Sequence, residues 1–435
     1  MITQQQQQLN QQPLLDWYPA TALKSEHFSP DLLEQLRNLG AFYLGEDVSR
    51  IIMRVASRPP PAPGYFPHHT EVGGHKYIYA PSEWWTSGFF PGCIWQLYRR
   101  SLQQPQAFSS SEILAAALQW QSGLEKEQHN RTTHDLGFMI MPSFYSDWSL
   151  RGTPESRKII INAAHALSSR WCEQTQCLRS WDSCVTKRFN YTDADKQTDF
   201  LVIIDNMMNL DLLYVGAQLS GDAELARRAT LHARTTLRYH VREDASTYHL
   251  VDYNPASGKV KGQYTVQGFA DSSCWSRGQA WGLYGFATAY RYTQDTEFLE
   301  ASVRLAEYFC RRVVEGTSGK NAGAVLWDFD APRPPNLLDT SAAMVACSGI
   351  ILLCQLSKGV EMATRVRKLL PTVVMMMNFT ARNAKAPQDD GGDTILKHAT
   401  VNSNRDAFQP VADVGLVYAD YYFLEAGNRL MEMLA

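Results

Sequence analysis

The sequence lacks an excess of charge of either sign. Its 435 residues contain 41 Lys and Arg against 44 Asp and Glu, so the formal net charge at pH 7 is −3. Nucleic-acid-binding and membrane-surface proteins normally carry a basic surface, so neither nucleic acid nor a membrane is an expected partner. The sequence also has no run of 18 apolar residues, and no membrane-spanning segment is predicted.

The signatures of several common sites are also missing. The eight cysteines form no C-x-x-C pair and have no zinc-ligand spacing, which predicts buried free thiols in a reducing compartment. There is no P-loop, no G-x-S-x-G motif and no G-x-G-x-x-G fingerprint opening a helix after a strand. His68, His69 and His75 lie in a Pro/Gly-rich segment that is not predicted to bind metal. None of these patterns points to a metal-binding or cofactor-binding site.

The N-terminus is rich in Gln and has none of the features of a secretory signal peptide. It begins MITQQQQQLNQQ, without a basic start, an apolar core or a small-residue cleavage site. We predict that residues 1–12 are disordered and that the protein is cytoplasmic. No linker divides the remainder, and 45% of the chain is hydrophobic, so residues 13–435 are predicted to form one domain.

Two kinds of helical segment alternate from about residue 31. Segment 222–240 is amphipathic, with Asp222 as a candidate cap, and segment 296–313 repeats this design. The other kind is apolar or small nearly all round and must be buried on several sides, as in 205–219, 275–292, 339–357 and 413–427. This order predicts about twelve helices in six hairpins, with an inner ring inside an outer ring. A superhelical solenoid is the alternative, but no fixed-length repeat supports it.

Acidic residues occur where buried helices are predicted to begin: Asp135, Asp205, Asp339 and Asp413. A carboxylate at a helix start usually accepts backbone N–H bonds as a cap. In a ring of helices, however, the starts of the inner helices meet at one end. Two of these aspartates could then face each other across a cavity, where their repulsion would raise the pKa of one enough for a general acid.

Segment 263–282 is the most concentrated group of polar residues. Arg277 lies here at the start of a buried helix and needs an anionic partner, either a protein carboxylate or the acid group of a ligand. His249 lies in a short strand predicted at 247–253, and a second strand is predicted at 325–329. His249 is either a hydrogen-bonding residue of the fold or a catalytic one.

The 11 Trp, 20 Tyr and 18 Phe are compatible with stacking on sugar rings, although aromatic residues mostly fill cores.

Several of these segments resemble the unsaturated glucuronyl hydrolases, glycoside hydrolase family 88. The matching pieces are WWTSGFFPGCIWQLY (84–98), HDLGFMIMPSF (134–144), IDNMMNLDLLY (204–214), STYHLVDYNPASGKV (246–260), QGFADSSCWSRGQAWGLYGFATAYRYT (267–293) and YADYYFLEA (418–426). The resemblance implies an all-α fold, the (α/α)6 barrel, and an activity: removal of a 4,5-unsaturated uronic acid from the non-reducing end of oligosaccharides made by polysaccharide lyases. The small unsaturated oligosaccharide would be its partner, and the protein would be a monomer or a weak homodimer.

The chemistry implied by the resemblance is hydration of a vinyl ether, which needs one carboxyl group to give a proton and then take one from water. Matched by motif, Asp205 is the general acid and base, and Asp135 binds ring hydroxyls and tunes the charge of the site. The implied substrate-binding residues are Trp85, His134, Trp181, His249, Gln267, Arg277 and Trp281, with Trp85 and Trp181 as candidates for stacking. Either Arg277 or His249 would meet the substrate carboxylate.

The chain departs from the family where Ala399 and Ala419 replace a usual glycine, which affects only loop geometry on the far side of the pocket. The nearest alternative is the sister family that acts on unsaturated rhamnogalacturonan fragments with the same chemistry. A sugar epimerase with a double ring of helices would need histidine pairs at the barrel loops. A non-catalytic helical scaffold would not explain why Trp, Arg, Gln and Asp crowd the starts of buried helices.

Overall fold

A computed structural model describes residues 28–43, 45–104, 107–357, 359–386 and 391–434. The predicted disordered segment, residues 1–12, lies outside these described residues. Numbered along the chain, the α-helices are α1 (Pro30–Tyr43), α2 (Glu46–Ala56), α3 (Phe89–Ser101), α4 (Ser110–Ser122), α5 (Leu136–Ile140), α6 (Ser146–Arg151), α7 (Pro154–Ser168), α8 (Leu210–Ser220), α9 (Ala223–His240), α10 (Ser276–Thr293), α11 (Thr296–Gly316), α12 (Thr340–Leu356), α13 (Val360–Arg367), α14 (Leu370–Phe379) and α15 (Val417–Leu434). Among the short turns between them, a π-turn at Met141–Tyr145 joins α5 to α6, and a 3-10 turn at Ile204–Met208 precedes α8.

The helices form two concentric rings, as the alternation of buried and amphipathic segments predicted. On the inside, α10 packs against α12, α12 against α15 and α15 against α3, while the 3-10 turn before α8 packs against α10. Every residue of α12 is buried, whereas the outer helix α9 buries one face and exposes its arginines. An apolar helix needs neighbours on several sides and an amphipathic one needs them on one side only. The predicted (α/α)6 barrel is confirmed.

Short antiparallel strands occupy the loops between the helices. They are β1 (Tyr65–Thr70), β2 (Tyr77–Pro81), β3 (Trp171–Cys172), β4 (Cys177–Leu178), β5 (Cys184–Val185), β6 (Asn190–Tyr191), β7 (Phe200–Ile203), β8 (Leu250–Tyr253) and β9 (Val260–Tyr264). The strands β7, β8 and β9 form one three-stranded sheet in that order, in which Ile203 pairs with Leu250. This pairing brings the chain entering α8 beside the chain that follows α9.

Small residues allow the inner elements to approach closely near the start of α8. A Cβ added at Gly285 would lie 2.4 Å from the Cβ of Met207, and one added at Gly137 would lie 2.6 Å from the Cα of Asn209. These distances are too short for any real side chain, so glycine is required at both positions. The glycines thereby seat the 3-10 turn at Ile204–Met208 between α5 and α10.

Local predictions have mixed outcomes. Asp222 caps α9 by accepting the Glu224 N–H at 3.0 Å, as predicted. The strand predicted at 247–253 is found at Leu250–Tyr253, but 325–329 forms only isolated bridges, such as Leu326 with Leu338. Asp413 does not open a helix: α15 begins at Val417, because the residues before it pair with the segment around Ala399. Asp413 instead lies 2.6 Å from the ring of His398.

The eight cysteines are all free, and each is buried except Cys172, which is partly exposed. No helix within the described ranges combines the length and the apolar character that crossing a membrane requires. In the same ranges, no group of three or more His, Cys, Asp or Glu side chains is arranged to hold a metal ion.

Candidate active site

The inner helices begin at one end of the barrel, and most of the predicted site residues lie there. Asp135 immediately precedes α5, Asp205 lies in the 3-10 turn before α8, and Asp339 immediately precedes α12. Asp205 and His249 lie side by side, because β7 pairs with β8 and the Ile204 N–H donates to the His249 carbonyl at 2.9 Å. The backbone therefore builds the site from segments that are distant in sequence.

Asp205 is buried and its carboxyl group is poised to hold a proton. Its Oδ2 atom has no hydrogen-bond partner among the described residues and lies 3.8 Å from His249 Nε2. Burial raises the pKa of Asp205 to about 7, against a lowering effect of Arg277 and with a further raising effect of Asp135. A carboxyl group with such a pKa can donate a proton near neutral pH and recover it afterwards.

His249 is a neutral hydrogen-bond donor at this site. Its Nδ1 accepts the backbone N–H of Val266 at 3.2 Å, which assigns the proton of the neutral ring to Nε2, on the side of Asp205. Burial lowers the pKa of His249 well below its usual value, so the ring stays uncharged. The ring lies 5.0 Å from that of Trp275 and 5.8 Å from that of Trp181, edge to face in both cases.

Asp135 and His134 lie next to each other at the start of α5. Asp135 occupies the N-cap position of α5, yet its side chain makes no capping bond. It accepts the Thr133 hydroxyl at 2.7 Å, and its Oδ1 lies 3.2 Å from Nε2 of His134. His134 is fully buried, and burial lowers its pKa. Burial is the main cause of the raised pKa of Asp205, and the charge of Asp135 adds a smaller effect in the same direction.

Arg277 has a protein carboxylate as its anionic partner. Its Nη1 pairs with Asp339 and also donates to the Thr400 carbonyl at 2.6 Å, while Nη2 donates to the Val401 carbonyl at 2.6 Å. Asp339 also caps α12 by accepting the Ser341 N–H at 3.1 Å. The sequence left two anionic partners open for Arg277, a protein carboxylate or the acid group of a ligand. In the structure Arg277 pairs with a protein carboxylate, that of Asp339.

Aromatic rings line the space beside the two aspartates. Trp85 is half-buried, with its ring 4.8 Å from that of Tyr418 and 5.6 Å from that of Phe138. Trp281 is completely buried, with its ring 5.2 Å from that of Phe138. Its indole also favours the charged form of Asp205. A partly exposed Trp beside a polar cluster is the arrangement on which sugar rings stack.

Gln267 and Trp181 approach the site from the loops. Gln267 is half-buried next to Val266, the residue that bonds His249, and its Oε1 has no hydrogen-bond partner within the described ranges. Trp181 is half-buried against His249 and bridges to Leu201 of β7. His249 thus links Asp205 with Trp181 and with the segment of Gln267, while Trp85 and Arg277 are related through Tyr418, which lies beside both.

Sequence reasoning assigned no site role to two residues of this cluster, Trp275 and Tyr418, although Trp275 belongs to the polar segment 263–282. The Arg277 guanidinium lies 4.7 Å from the ring centroid of Trp275 and 5.4 Å from that of Tyr418. The Tyr418 hydroxyl is buried without a hydrogen-bond partner among the described residues. Both residues stand at the start of a buried inner helix, which is the signal that singled out the aspartates and could have been extended to aromatic residues.

A cavity of about 480 Å³ lies between the later turns of α3, α10 and α15, and Gly137, Phe138 and Met208 also line it. Its lining includes Glu425, Tyr284 and Arg429 but none of the predicted site residues. Glu425 accepts the Tyr284 hydroxyl at 2.9 Å and the Ser348 hydroxyl at 2.5 Å. Its other two carboxylates also have protein partners: Asp211 accepts the Tyr292 hydroxyl at 2.5 Å, and Glu432 pairs with Arg99. The chemistry therefore favours Asp205, whose Oδ2 has no such partner among the described residues.

No family model matches the chain. Among curated proteins, an unsaturated glucuronyl hydrolase from Formosa agariphila is 33% identical over 383 residues, which cover 85% of this chain and 85% of the relative. A second one, from a Bacillus species, is 31% identical over 368 residues, which cover 84% of this chain and 90% of the relative. Among solved structures, an unsaturated glucuronyl hydrolase specific for heparin is 30% identical, with a TM-score of 0.74 over 93% of this chain and 98% of the other.

Proposed function

The chain belongs to the unsaturated glucuronyl hydrolase family, and on that premise we propose that it releases 4,5-unsaturated glucuronic acid from the non-reducing end of lyase-generated oligosaccharides. Relatives with the same barrel and this activity match nearly the full length of the chain. One feature of the site supports the proposal above the others: the buried carboxyl group of Asp205, whose Oδ2 has no bonding partner among the described residues and whose pKa burial raises to about 7.

In the proposed reaction, Asp205 is the general acid and then the general base. The protonated carboxyl group donates its proton to C4 of the C4=C5 double bond, and positive charge develops at C5 and the ring oxygen. Water adds to C5 while the Asp205 carboxylate takes up one of its protons, which regenerates the acid. The resulting hemiketal opens and releases the rest of the oligosaccharide. Protons balance over the cycle, so the chemistry requires neither metal nor cofactor.

Asp135 and His249 prepare this carboxyl group. The charge of Asp135 raises the pKa of Asp205 and so preserves the acid form, while its oxygens are available to ring hydroxyls. The Nε2–H of His249 lies on the side of Asp205 and, being neutral, does not pull the proton from the acid. It can instead donate a hydrogen bond to substrate or to the carboxylate formed after proton transfer.

The remaining predicted residues are proposed to bind the substrate. Trp85 and Trp181 are partly exposed and would stack on sugar rings, and Gln267 offers an amide oxygen that accepts hydrogen bonds. The other three, His134, Arg277 and Trp281, are buried and would shape the pocket around the unsaturated ring. Because Arg277 is already paired with Asp339, the substrate carboxylate would share this guanidinium with a protein anion.

The proposal extends to the setting of the enzyme. A small unsaturated oligosaccharide is the partner, with no role for nucleic acid or a membrane, and a net charge of −3 supports this. The free cysteines support a reducing, cytoplasmic location. We propose a monomer or a weak homodimer in which residues 13–435 form the single catalytic domain.

An absorbance assay tests the proposed function. The double bond conjugated to the carboxylate absorbs ultraviolet light, and hydration removes that signal. We expect loss of absorbance with an unsaturated glucuronyl disaccharide and little with the rhamnogalacturonan analogue.

Asp205→Asn should lower turnover by about a hundredfold or more, as expected for loss of an acid/base group. Asp222→Asn, in the cap of the outer helix α9, is the matched control and should retain turnover.

Turnover near that of the wild type in a folded Asp205→Asn variant would remove Asp205 from the role of acid. Faster loss of absorbance with the rhamnogalacturonan analogue would assign the chain to the chemistry of the sister family instead.

A further inference from the structure

Arg277 and Asp339 form a buried ion pair beside the proposed acid. The side chain of Arg277 is 2% exposed and that of Asp339 is 0% exposed. Backbone groups hold both partners: the carbonyls of Thr400 and Val401 accept from the guanidinium, and the Ser341 N–H donates to the carboxylate. A buried charge held this rigidly keeps its position during a reaction and acts with little solvent screening.

A continuous set of contacts leads from this ion pair to Asp205. The guanidinium of Arg277 lies 4.7 Å from the Trp275 ring centroid, and that ring lies 5.0 Å from the ring of His249. Nε2 of His249 then lies 3.8 Å from Oδ2 of Asp205. The charge of Arg277 also acts on Asp205 directly.

Charged and titratable groups surround Asp205 from several elements. Asp135, at the start of α5, favours the protonated form, and Arg277, on α10, favours the carboxylate. His249 is neutral because burial lowers its pKa. Tyr418, on α15, is also neutral at ordinary pH, since burial raises the pKa of its phenol. Arg277 is therefore the group in this set that opposes proton retention by the acid.

An uncompensated guanidinium would hinder the proposed reaction in two ways. It would stabilise the Asp205 carboxylate and so remove the proton that C4 must receive. It would also repel the positive charge that develops at C5 and the ring oxygen. The Asp339 carboxylate pairs with Arg277. An anion in contact with a guanidinium weakens the field of that cation at both places.

We propose that Asp339 is a positioning residue for this reaction, which partly offsets the charge of Arg277 and holds it immobile so that Asp205 keeps its proton and the cationic sugar is less strongly repelled. The inference rests on the proposed role of Asp205 as the acid. Asp339 itself acts through Arg277, and its cap on α12 is a separate, structural role.

The test compares pH profiles of kcat/KM. Asp339→Asn keeps a good helix cap but removes the negative charge. The descending limb, which reports loss of the proton from Asp205, should move to lower pH by about one unit. At a fixed pH on that limb, kcat should fall more than KM changes. If Asp339→Asn only reduced the amount of folded protein, kcat/KM would fall at every pH, and the descending limb would stay at the same pH.

A double variant and a matched control complete the design. Asp339→Asn with Arg277→Gln removes both charges, so the limb should move to higher pH, opposite to the single variant. The control is Asp295→Asn, because Asp295 also caps a helix, α11, and pairs with an arginine, Arg234 at 2.9 Å, but in the outer ring. Its profile should match that of the wild type.

Limbs that coincide with the wild type in both Asp339 variants, while Asp205→Asn is inactive, would overturn the inference and leave the proposed function standing. An active Asp205→Asn would instead overturn the proposed function. If Asp339→Asn does not fold, Arg277→Gln and the double variant decide: the limb should lie at higher pH in Arg277→Gln, where Asp339 keeps its charge, than in the double variant, and coincident limbs would reject the proposal.

Discussion

Two buried aspartates of the barrel, Asp205 and Asp420, both have a raised pKa but have opposite surroundings. Burial raises the pKa of each to about 7. Asp420, in α15, accepts the Tyr77 hydroxyl at 2.7 Å and the backbone N–H groups of Ile395 and Leu396 at 2.9 Å each. Oδ2 of Asp205 has no such partner among the described residues.

This contrast indicates that a raised pKa does not by itself identify a catalytic acid. The donors around Asp420 are already committed to its oxygens, so this carboxylate ties α15 to the loop containing Ile395 and to β2, which contains Tyr77. The atom of Asp205 that lacks a partner can instead reach a substrate. We therefore interpret Asp420 as structural and Asp205 as the reactive group.

Among the substitutions that test the contrast between Asp205 and Asp420, we expect Asp420→Asn to have the greatest effect, and this effect is on the free energy of unfolding. Asp420→Asn places an amide N–H against backbone donors, and leaving these buried donors unsatisfied should reduce the free energy of unfolding by about 2–3 kcal/mol. Turnover per folded molecule should change by less than about threefold, because no reacting group is lost. Chemical denaturation together with the absorbance assay measures both. A collapse of turnover at unchanged stability would contradict the structural interpretation.

An intermediate effect is expected from Asp205→Asn on the pH dependence of stability. The unfolded carboxyl group ionises near its ordinary value, whereas the folded group keeps its proton to about pH 7. The native state then binds more protons than the unfolded one, so wild-type stability falls as the pH rises from about 4 to about 7. Asparagine removes this loss. The melting temperature of the variant relative to the wild type should therefore rise by about 2 °C or more between pH 4.5 and 8.

Equal differences in melting temperature at the two pH values would mean that the proton on Asp205 is not held in the folded state. Asp222→Asn serves again as the comparison, since Asp222 is a partly exposed cap on the outer helix α9.

The smallest expected effect sharpens the role of Arg277. Arg277→Lys keeps the charge beside Asp205 but cannot bond Asp339 and the carbonyls of Thr400 and Val401 together. We expect KM to rise by about fivefold with a smaller change in kcat. Arg234→Lys, in the outer ring, is the control. An unchanged KM in the Arg277 variant would remove Arg277 from substrate binding.

Much of the barrel was predictable because its evidence is local. The apolar composition of 339–357 requires burial all round, and α12 is buried at every residue. Asp222 was predictable as a cap because a cap bonds residues two or three positions away. The expectation that Asp135 influences Asp205 followed from one further premise, that inner helices begin at the same end of a ring.

The failures lie where distant segments decide the outcome. Asp413 precedes an apolar run and looks like a helix start, but pairing with the chain near Ala399 keeps it in a loop. Tyr418 was overlooked because its position against Trp85 and Arg277 depends on how α15 packs beside α3 and α12.

The amino-acid sequence alone determined the two rings of helices, the helix-start aspartates and the family resemblance, because periodicity and motif spacing are properties of short segments. Only the tertiary structure decided which aspartate is left without a partner, which anion Arg277 meets and which aromatic rings border the acid. The physical reason is that burial and electrostatic interaction depend on distances in space between residues that are far apart along the chain.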